Sequence, residues 1–242
     1  MKILLIAGHG NGDPGACGCG FYEADLTRET VSLIKPLLQR YAEVDIADLS
    51  RNWYADICKK GINFDFRKYD YVLEVHFNAG SRDNLGNGKT TGTEVYVTYA
   101  ETGISVENQI VENISHLGFV NRGVKHRDFS LISHIKKQGT SAALLEVCFI
   151  DDLDDMKLYS QKKHKIAEAV SLAIASGFGI GGDRMGVEFK DISDHYAKEH
   201  IERLAAYGII NGDGDGNFMP DKPITRADAA IMISNALAVC GK

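Results

Sequence analysis

Residues 2 to 15 read KILLIAGHGNGDPG, an apolar run followed at once by a glycine-rich loop. An apolar run without polar alternation is typical of a strand covered on both faces of a sheet. The glycines allow a tight backbone turn and leave room for a ligand beside His9, which follows the strand. Functional groups of open α/β sheets gather at the carboxyl ends of strands. The stretch therefore predicts an α/β protein with His9 in a functional position.

Further apolar runs predict buried strands, and the segments between them have the spacing of amphipathic helices. The strands are expected at residues 44–47, 71–76, 94–98 and 143–149. The helices are expected at residues 24–41, 104–117 and 154–176. Strands that alternate with helices indicate an α/β fold with a mainly parallel central sheet and flanking helices.

A second, smaller domain is expected after a break in this pattern. Residues 1–176 form the predicted α/β domain, and residues 177–187 are rich in glycine and read as a flexible linker. Residues 188–242 predict a small α-helical module with helices near 197–207 and 226–238. Its loop GDGDGNFMPDKP resembles part of a calcium-binding loop, but Phe218 and Ile224 stand where glycine and glutamate are required. A tight turn is therefore expected there.

Composition excludes several partners. The formal net charge of −6 disfavours nonspecific binding to nucleic acid, because phosphate binding needs an excess of cations. No apolar stretch approaches the roughly 18 residues of a membrane helix, and the amino terminus lacks the pattern of a secretory signal. An odd cysteine count indicates reduced thiols, and the pair Cys17 and Cys19 lacks the second pair of a structural zinc site.

Two histidines and one carboxylate are placed where they could meet. His9 and His76 each follow a predicted buried strand, and Glu23 stands near the start of the first long helix. Such a set is typical of catalytic zinc, with the fourth position left for water. The alternatives are two structural histidines and an acid favoured by the helix dipole. A nucleotide loop is disfavoured, because the spacing of the glycines around His9 does not match a dinucleotide fingerprint.

Glu146 lies within the apolar segment ALLEVCFI, residues 143–150. A charge in such a strand is costly to bury unless it is paired or functional. One reading makes Glu146 a general base whose pKa is tuned by burial. The other makes it one half of a buried ion pair, with Arg122 or Lys125 as the partner. The residues alone leave both readings open.

The opening segment resembles the first motif of the zinc N-acetylmuramoyl-L-alanine amidases of the Amidase_3 type. The segment EVHFNA, residues 74–79, and LLEVCFID, residues 144–151, resemble later motifs of that family in the same order. The resemblance implies Zn²⁺ held by His9, Glu23 and His76, with Glu146 as the catalytic base. Asn78 is expected to contact substrate. The sequence departs from the family at position 74, where serine is usual, and in the CGCG stretch before Glu23.

The C-terminal module resembles one S-layer homology repeat. The segment FKDISDHYAKEHI begins it at residue 189, and ITRAD at residues 224–228 matches the I-T-R-A-E segment of such repeats. The resemblance implies binding to a secondary cell-wall polymer through Arg226, whose planar guanidinium suits acidic sugars. These repeats usually occur in three copies, so a single copy also predicts self-association into a homo-oligomer.

The function implied is hydrolysis of the amide between N-acetylmuramic acid and L-alanine in bacterial peptidoglycan. The missing signal predicts a phage endolysin, made in the host cytoplasm and released to the wall when a holin opens the membrane. The alternatives are a secreted bacterial autolysin, a zinc peptidase or deacetylase, and an inactive wall-binding protein. The products of wall digestion separate these alternatives.

Overall fold

The computed structural model describes residues 1–180, 189–206 and 209–239. The chain divides into two compact units, Met1–Ile180 and Gly181–Lys242. The predicted linker, residues 177–187, lies outside the described residues from position 181 onward. Its first residue still belongs to the last helix of the first unit.

The first unit contains eight strands and four α-helices among the described residues. The strands are β1 (Lys2–Ala7), β2 (Cys17–Gly18), β3 (Phe21–Tyr22), β4 (Glu43–Ile46), β5 (Tyr71–Asn78), β6 (Thr93–Val97), β7 (Asn121–His126) and β8 (Ser141–Phe149). The helices are α1 (Glu23–Leu38), α2 (Ser105–Ser115), α3 (Ser130–Lys137) and α4 (Leu153–Gly177). Short π and 3-10 turns follow β4 at Ala55–Lys59 and Phe66–Lys68.

Six of the strands form one sheet in the order β4-β1-β5-β8-β6-β7. Strands β4, β1, β5 and β8 run parallel to one another. Strand β6 runs antiparallel to β8, and β7 is parallel to β6. The carboxyl ends of β1, β5 and β8 therefore share one sheet edge with the beginnings of β6 and β7. The prediction of a mainly parallel α/β sheet is confirmed.

Each face of the sheet is covered, as the continuous apolar strands predict. Alternate residues of β1 enter different cores: Ile3 and Leu5 belong to the core that includes residues of α1, α2 and α4. Leu4 and Ile6 belong to the core on the other face, with Trp53 and residues of α3. Because both faces are buried, β1 has no room for polar residues, which explains its uninterrupted sequence.

Besides the two-residue strands β2 and β3, strand β7 and helix α3 of this unit escaped prediction, for physical reasons. Strand β7 lies at the sheet edge, and its sequence NRGVKH has no buried residue. Helix α3 spans only Ser130–Lys137, with three buried residues on one side. Both segments are too short or too polar to show a clear period. The other predicted strands and helices are found within a few residues of the expected bounds.

The C-terminal unit has its own small core, built from Phe189, Ile192, Ile201 and Ile210. Helices α5 (Lys198–Ala206) and α6 (Arg226–Val239) match the two predicted helices. Asp213 accepts hydrogen bonds from the backbone N–H groups of Asp215 and Asn217, which confirms the tight turn. Within the described residues, no helix combines the length and apolar composition that crossing a bilayer requires.

Leucines of opposite exposure provide a test of the sheet core. Leu73 in β5 is 0% exposed, whereas Leu85 is 91% exposed. We expect Leu73→Ala to lower the free energy of unfolding by about 2–5 kcal/mol, because it removes buried methyl groups and leaves a cavity. Leu85→Ala is the matched control and should change it by less than about 0.5 kcal/mol. Urea denaturation measures both, and equal losses would contradict the placement of β5 at the sheet centre.

Candidate metal centre

His9 stands just beyond β1 in a backbone conformation that is uncommon for residues other than glycine. Its φ angle is 60°, in the left-handed region. Side chains of α1 hold the backbone there: Thr27 donates to the carbonyl of Gly8, and Arg28 donates to the carbonyls of Gly8 and His9. Such strain is maintained only when the surroundings over-determine it, which is common at functional sites.

Glu23 brings the two histidines together. Its Oε2 lies 3.1 Å from Nε2 of His9, and its Oε1 lies 2.8 Å from Nδ1 of His76. The same carboxylate accepts hydrogen bonds from the backbone N–H groups of Ala16 and Phe77. As the first residue of α1, Glu23 also sits where a helix dipole favours negative charge. The structure thus brings the three predicted ligands to one point.

Each histidine is oriented by a second carboxylate on its other ring nitrogen. Nδ1 of His9 lies 2.9 Å from Oδ2 of Asp13, and Nε2 of His76 lies 3.0 Å from Oε1 of Glu74. Asp13 is itself fixed by hydrogen bonds from Gly15 and Asn52. Carboxylates placed behind ligating histidines set the tautomer and raise the basicity of the ligand. This arrangement fits a metal centre.

The charges of the group reinforce one another. Burial opposes the charge of Glu23, but hydrogen bonds from His76 and His9 outweigh it and hold the pKa of Glu23 well below its usual range. Burial likewise opposes protonation of the histidines, yet the neighbouring carboxylates raise the pKa of both His9 and His76. His9, Glu23 and His76 offer ligand atoms that all lie within 4.8 Å of one another. They form a possible metal site.

Two glycines make this close approach possible. A Cβ on Gly8 would lie 2.3 Å from the ring of His76. A Cβ on Gly15 would lie 2.7 Å from both Glu23 Oε2 and the His9 ring, and the φ of Gly15 is +69°. The glycines in the opening motif therefore leave space for the ligand side chains.

Glu146 lies on β8 directly beside His76 of β5 in the strand register. Its Oε2 is buried and has no hydrogen-bond partner among the described residues. Burial raises the pKa of Glu146 to about 7, with His76 opposing the shift. An unpartnered carboxylate of this kind is suited to accept and release a proton near neutral pH.

The ion pair considered for Glu146 is made by another glutamate. Arg122 and Lys125 both bind Oε2 of Glu94, which is 1% exposed. Glu94 lies directly opposite Glu146 in the register of β6 and β8. The interpretation of Glu146 as an ion-pair partner of Arg122 or Lys125 is therefore wrong, because both cations bind Glu94.

The two remaining predicted residues lie apart from the metal group. Asn78 ends β5, and its Nδ2 donates to Oε1 of Glu94 at 2.8 Å. Arg226 is the exposed first residue of α6 in the C-terminal unit. Thr225 before it accepts a hydrogen bond from the N–H of Asp228, which caps the helix. Contacts of Asn78 with substrate and of Arg226 with polymer stay predictions.

Sequence reasoning missed Asp13 and Glu94. Asp13 was visible as an acid four residues after His9, a spacing that allowed contact in a tight loop. Glu94 stands at the start of a predicted strand, and nothing in the sequence around it indicates a functional position. Since β6 runs against β8, the beginning of β6 reaches the functional edge. A search for functional residues at the carboxyl ends of strands alone therefore misses Glu94.

A second group of carboxylates lies between the loop after β5 and the start of α4. Asp83, Asp152 and Asp154 also offer oxygen atoms within 4.8 Å of one another. Asp152 caps α4 by accepting from the N–H groups of Asp154 and Asp155. Asp154 accepts from the N–H groups of Asn87 and Gly88. These contacts brace the loop between β5 and β6 against the start of α4.

Fold and site together define an α/β protein with a histidine–carboxylate group that could hold a metal ion and an adjacent buried glutamate. The particular family follows from comparison: residues 3–176 match the N-acetylmuramoyl-L-alanine amidase family, Amidase_3. This match covers more than half of the chain, so the protein belongs to that family. Residues 188–230 match the S-layer homology domain. Both resemblances predicted from the motifs are confirmed, and the second associates the chain with the cell wall.

Individual relatives agree with this assignment. N-acetylmuramoyl-L-alanine amidase CwlM of Bacillus licheniformis is 26% identical over 224 residues, covering 88% of this chain and 82% of that protein. Probable autolysin PH of Staphylococcus aureus is 27% identical over 75% of this chain, but this covers only 39% of its own length. The catalytic domain of CwlV, an amidase from Bacillus (Paenibacillus) polymyxa var. colistinus, matches 74% of this chain and 99% of its own, with a TM-score of 0.60 and 20% identity. That likeness supports the fold.

Glycines of similar conformation test the packing of the ligands. Gly12 and Gly15 both have positive φ, but a Cβ on Gly12 meets nothing within 4 Å. Gly12→Ala should therefore cost only the backbone strain, about 1–2 kcal/mol. We expect Gly15→Ala to cost clearly more, because its methyl group displaces Glu23 and His9. Thermal denaturation measures the difference, and NMR signals of the His9 and His76 rings should shift in Gly15→Ala alone. Equal losses and unchanged rings would contradict this geometry.

Proposed function

We propose that this protein hydrolyses the amide bond between N-acetylmuramic acid and L-alanine in peptidoglycan. The observation that carries the proposal is the unpartnered carboxylate of Glu146 beside the group of His9, Glu23 and His76. Membership of the amidase family supplies the substrate class. A peptidase or deacetylase would need a comparable site, and the match to the amidase family favours the amidase over both.

The donor set fits zinc. Two imidazoles and one carboxylate, each histidine backed by a further carboxylate, are the ligands of many catalytic zinc sites. We propose His9, Glu23 and His76 as the ligands. Bound zinc supplies a Lewis acid that polarises the scissile carbonyl and acidifies water.

Glu146 handles the proton in this proposal. Its buried Oε2 takes a proton from the attacking water as the new carbon–oxygen bond forms. It returns that proton to the nitrogen of L-alanine as the carbon–nitrogen bond breaks. The products are a lactyl carboxylate on the sugar and a peptide with a free amine, so atoms and charge balance.

The C-terminal unit supplies attachment to the wall. We propose that Arg226, exposed at the start of α6, binds an acidic secondary cell-wall polymer. The S-layer homology match favours a bacterial autolysin as the setting. A phage endolysin released by a holin, and a homo-oligomer formed through this unit, stay predictions.

Replacing the proposed base tests the mechanism. Glu146→Gln keeps the shape of the side chain but cannot take up the proton. We expect it to bind one zinc ion per chain like the wild type, as measured by elemental analysis. Release of peptide from purified wall should fall by about 10²-fold or more. Turnover at the wild-type rate in the zinc-loaded variant would remove Glu146 from the mechanism.

Product analysis tests the reaction itself. The wild type should generate free amino groups on L-alanine without new reducing sugar ends, and chelation of the metal should stop this release. New reducing ends would indicate a glycosidase. Absence of both products after zinc loading would favour a wall-binding protein without activity.

Arg226 is tested by binding rather than by turnover. We expect Arg226→Gln to weaken sedimentation with purified walls that retain their secondary polymer by about tenfold, because a charged hydrogen bond to acidic sugar is lost. Walls stripped of that polymer should bind both proteins equally weakly. Lys222→Gln, another exposed cation in the same unit, is the control. Undiminished binding of Arg226→Gln would contradict the proposed contact.

A further inference from the structure

We infer that Arg122, with Lys125, forms a binding site for a carboxylate of the peptide attached to the scissile bond. The inference rests on the proposed amidase function and deepens it. A row of side chains crosses the sheet beside the proposed metal ligands. His76, Glu146 and Glu94 occupy matched positions on the neighbouring strands β5, β8 and β6.

Glu94 anchors the cations at the end of this row. Nε of Arg122 donates to its Oε2 at 2.6 Å, and Nζ of Lys125 binds the same oxygen. Its Oε1 accepts from Asn78 and from the hydroxyl of Tyr96. Burial opposes the charge, yet the hydrogen bonds from Lys125, Tyr96 and Arg122 hold the pKa of Glu94 below its usual value. Two cations thus share one carboxylate, which leaves an excess positive charge.

Arg122 is held in a fixed position with its end available. The guanidinium carbon lies 4.8 Å from the centre of the Phe149 ring, and Nε is engaged by Glu94. Within the described part of the chain, its two terminal nitrogens make no hydrogen bond, and the side chain is 35% exposed. The hydrogen bond at Nε and the contact with the aromatic ring hold the guanidinium in place. Its terminal N–H groups still form a pair whose geometry matches a carboxylate.

Distance selects which carboxylate fits. Neighbouring strands are about 5 Å apart, so the backbone of Glu94 lies about 5 Å from that of Glu146, and Arg122 lies on the next strand, β7. An extended peptide advances about 3.5 Å per residue. A carboxylate on the second residue of the peptide, about 7 Å from the scissile amide, would reach Arg122. The leaving peptide would then be held by its own negative charge.

A matched pair of substrates tests this site. One is an N-acetylmuramoyl tetrapeptide with a free carboxylate on its second residue, and the other carries a carboxamide at that position. We expect the wild type to favour the carboxylate form by about tenfold or more in kcat/KM, mainly through KM. Arg122→Gln should bring the ratio of the two substrates close to one, and Lys125→Gln should lower it partly.

Arg127 provides the matched control. It is exposed, and its guanidinium carbon lies 4.6 Å from the centre of the Phe129 ring, but it makes no ion pair with Glu94. Arg127→Gln should keep the wild-type ratio. An Arg122→Gln enzyme that keeps that ratio, or a wild type that cleaves both substrates equally, would overturn the inference.

Binding to Glu146→Gln separates this inference from the proposed function. Calorimetric titration with each substrate measures affinity without turnover. The carboxylate substrate should bind more tightly than the carboxamide, and adding Arg122→Gln should abolish this difference. That result supports the carboxylate site even if the wild type cleaves neither substrate. In that case only the amidase proposal fails. If both substrates are cleaved and bind equally well, the amidase proposal is supported and the carboxylate site is wrong.

Discussion

The carboxylate of Glu23 is the point on which the geometry of the metal group depends. It faces a ring nitrogen of each histidine, and it accepts hydrogen bonds from backbone N–H groups of the loop after β1 and of β5. Two segments, the loop after β1 and the end of β5, are thereby fixed to the first turn of α1. Its buried charge would be costly alone, and the histidines and amides that compensate it are the same groups that position it.

The direction of the strands decides what else reaches this site. The parallel strands β1, β5 and β8 deliver His9, His76 and Glu146 from their carboxyl ends. The reversed strands β6 and β7 deliver groups from their beginnings, which is why Glu94 and Arg122 lie in line with Glu146. A fully parallel sheet would carry these two residues to the opposite edge. The cationic end of the row thus follows from the reversal between β8 and β6.

The sequence predicted the parts of the site that interrupt a strong pattern. His76 and Glu146 stand out because they are polar residues within apolar strands, and His9 because glycines surround it. The partner of Arg122 and Lys125 could not be predicted, since strand order and direction decide it and composition does not record them. Edge strand β7 left no periodic signal because it has a neighbouring strand on one side only and none of its residues is buried.

Three glutamates at this edge have different pKa values because their surroundings differ. Glu23 is held ionised by two histidines, and Glu94 by two cations. Glu146 lies between their strands without a partner for Oε2, and burial raises its pKa to about 7. Separated pKa values among neighbouring carboxyl groups allow identical side chains in one site to differ in their protonation. The role proposed for Glu146 therefore depends on Glu94 taking the cations that would otherwise hold Glu146 ionised.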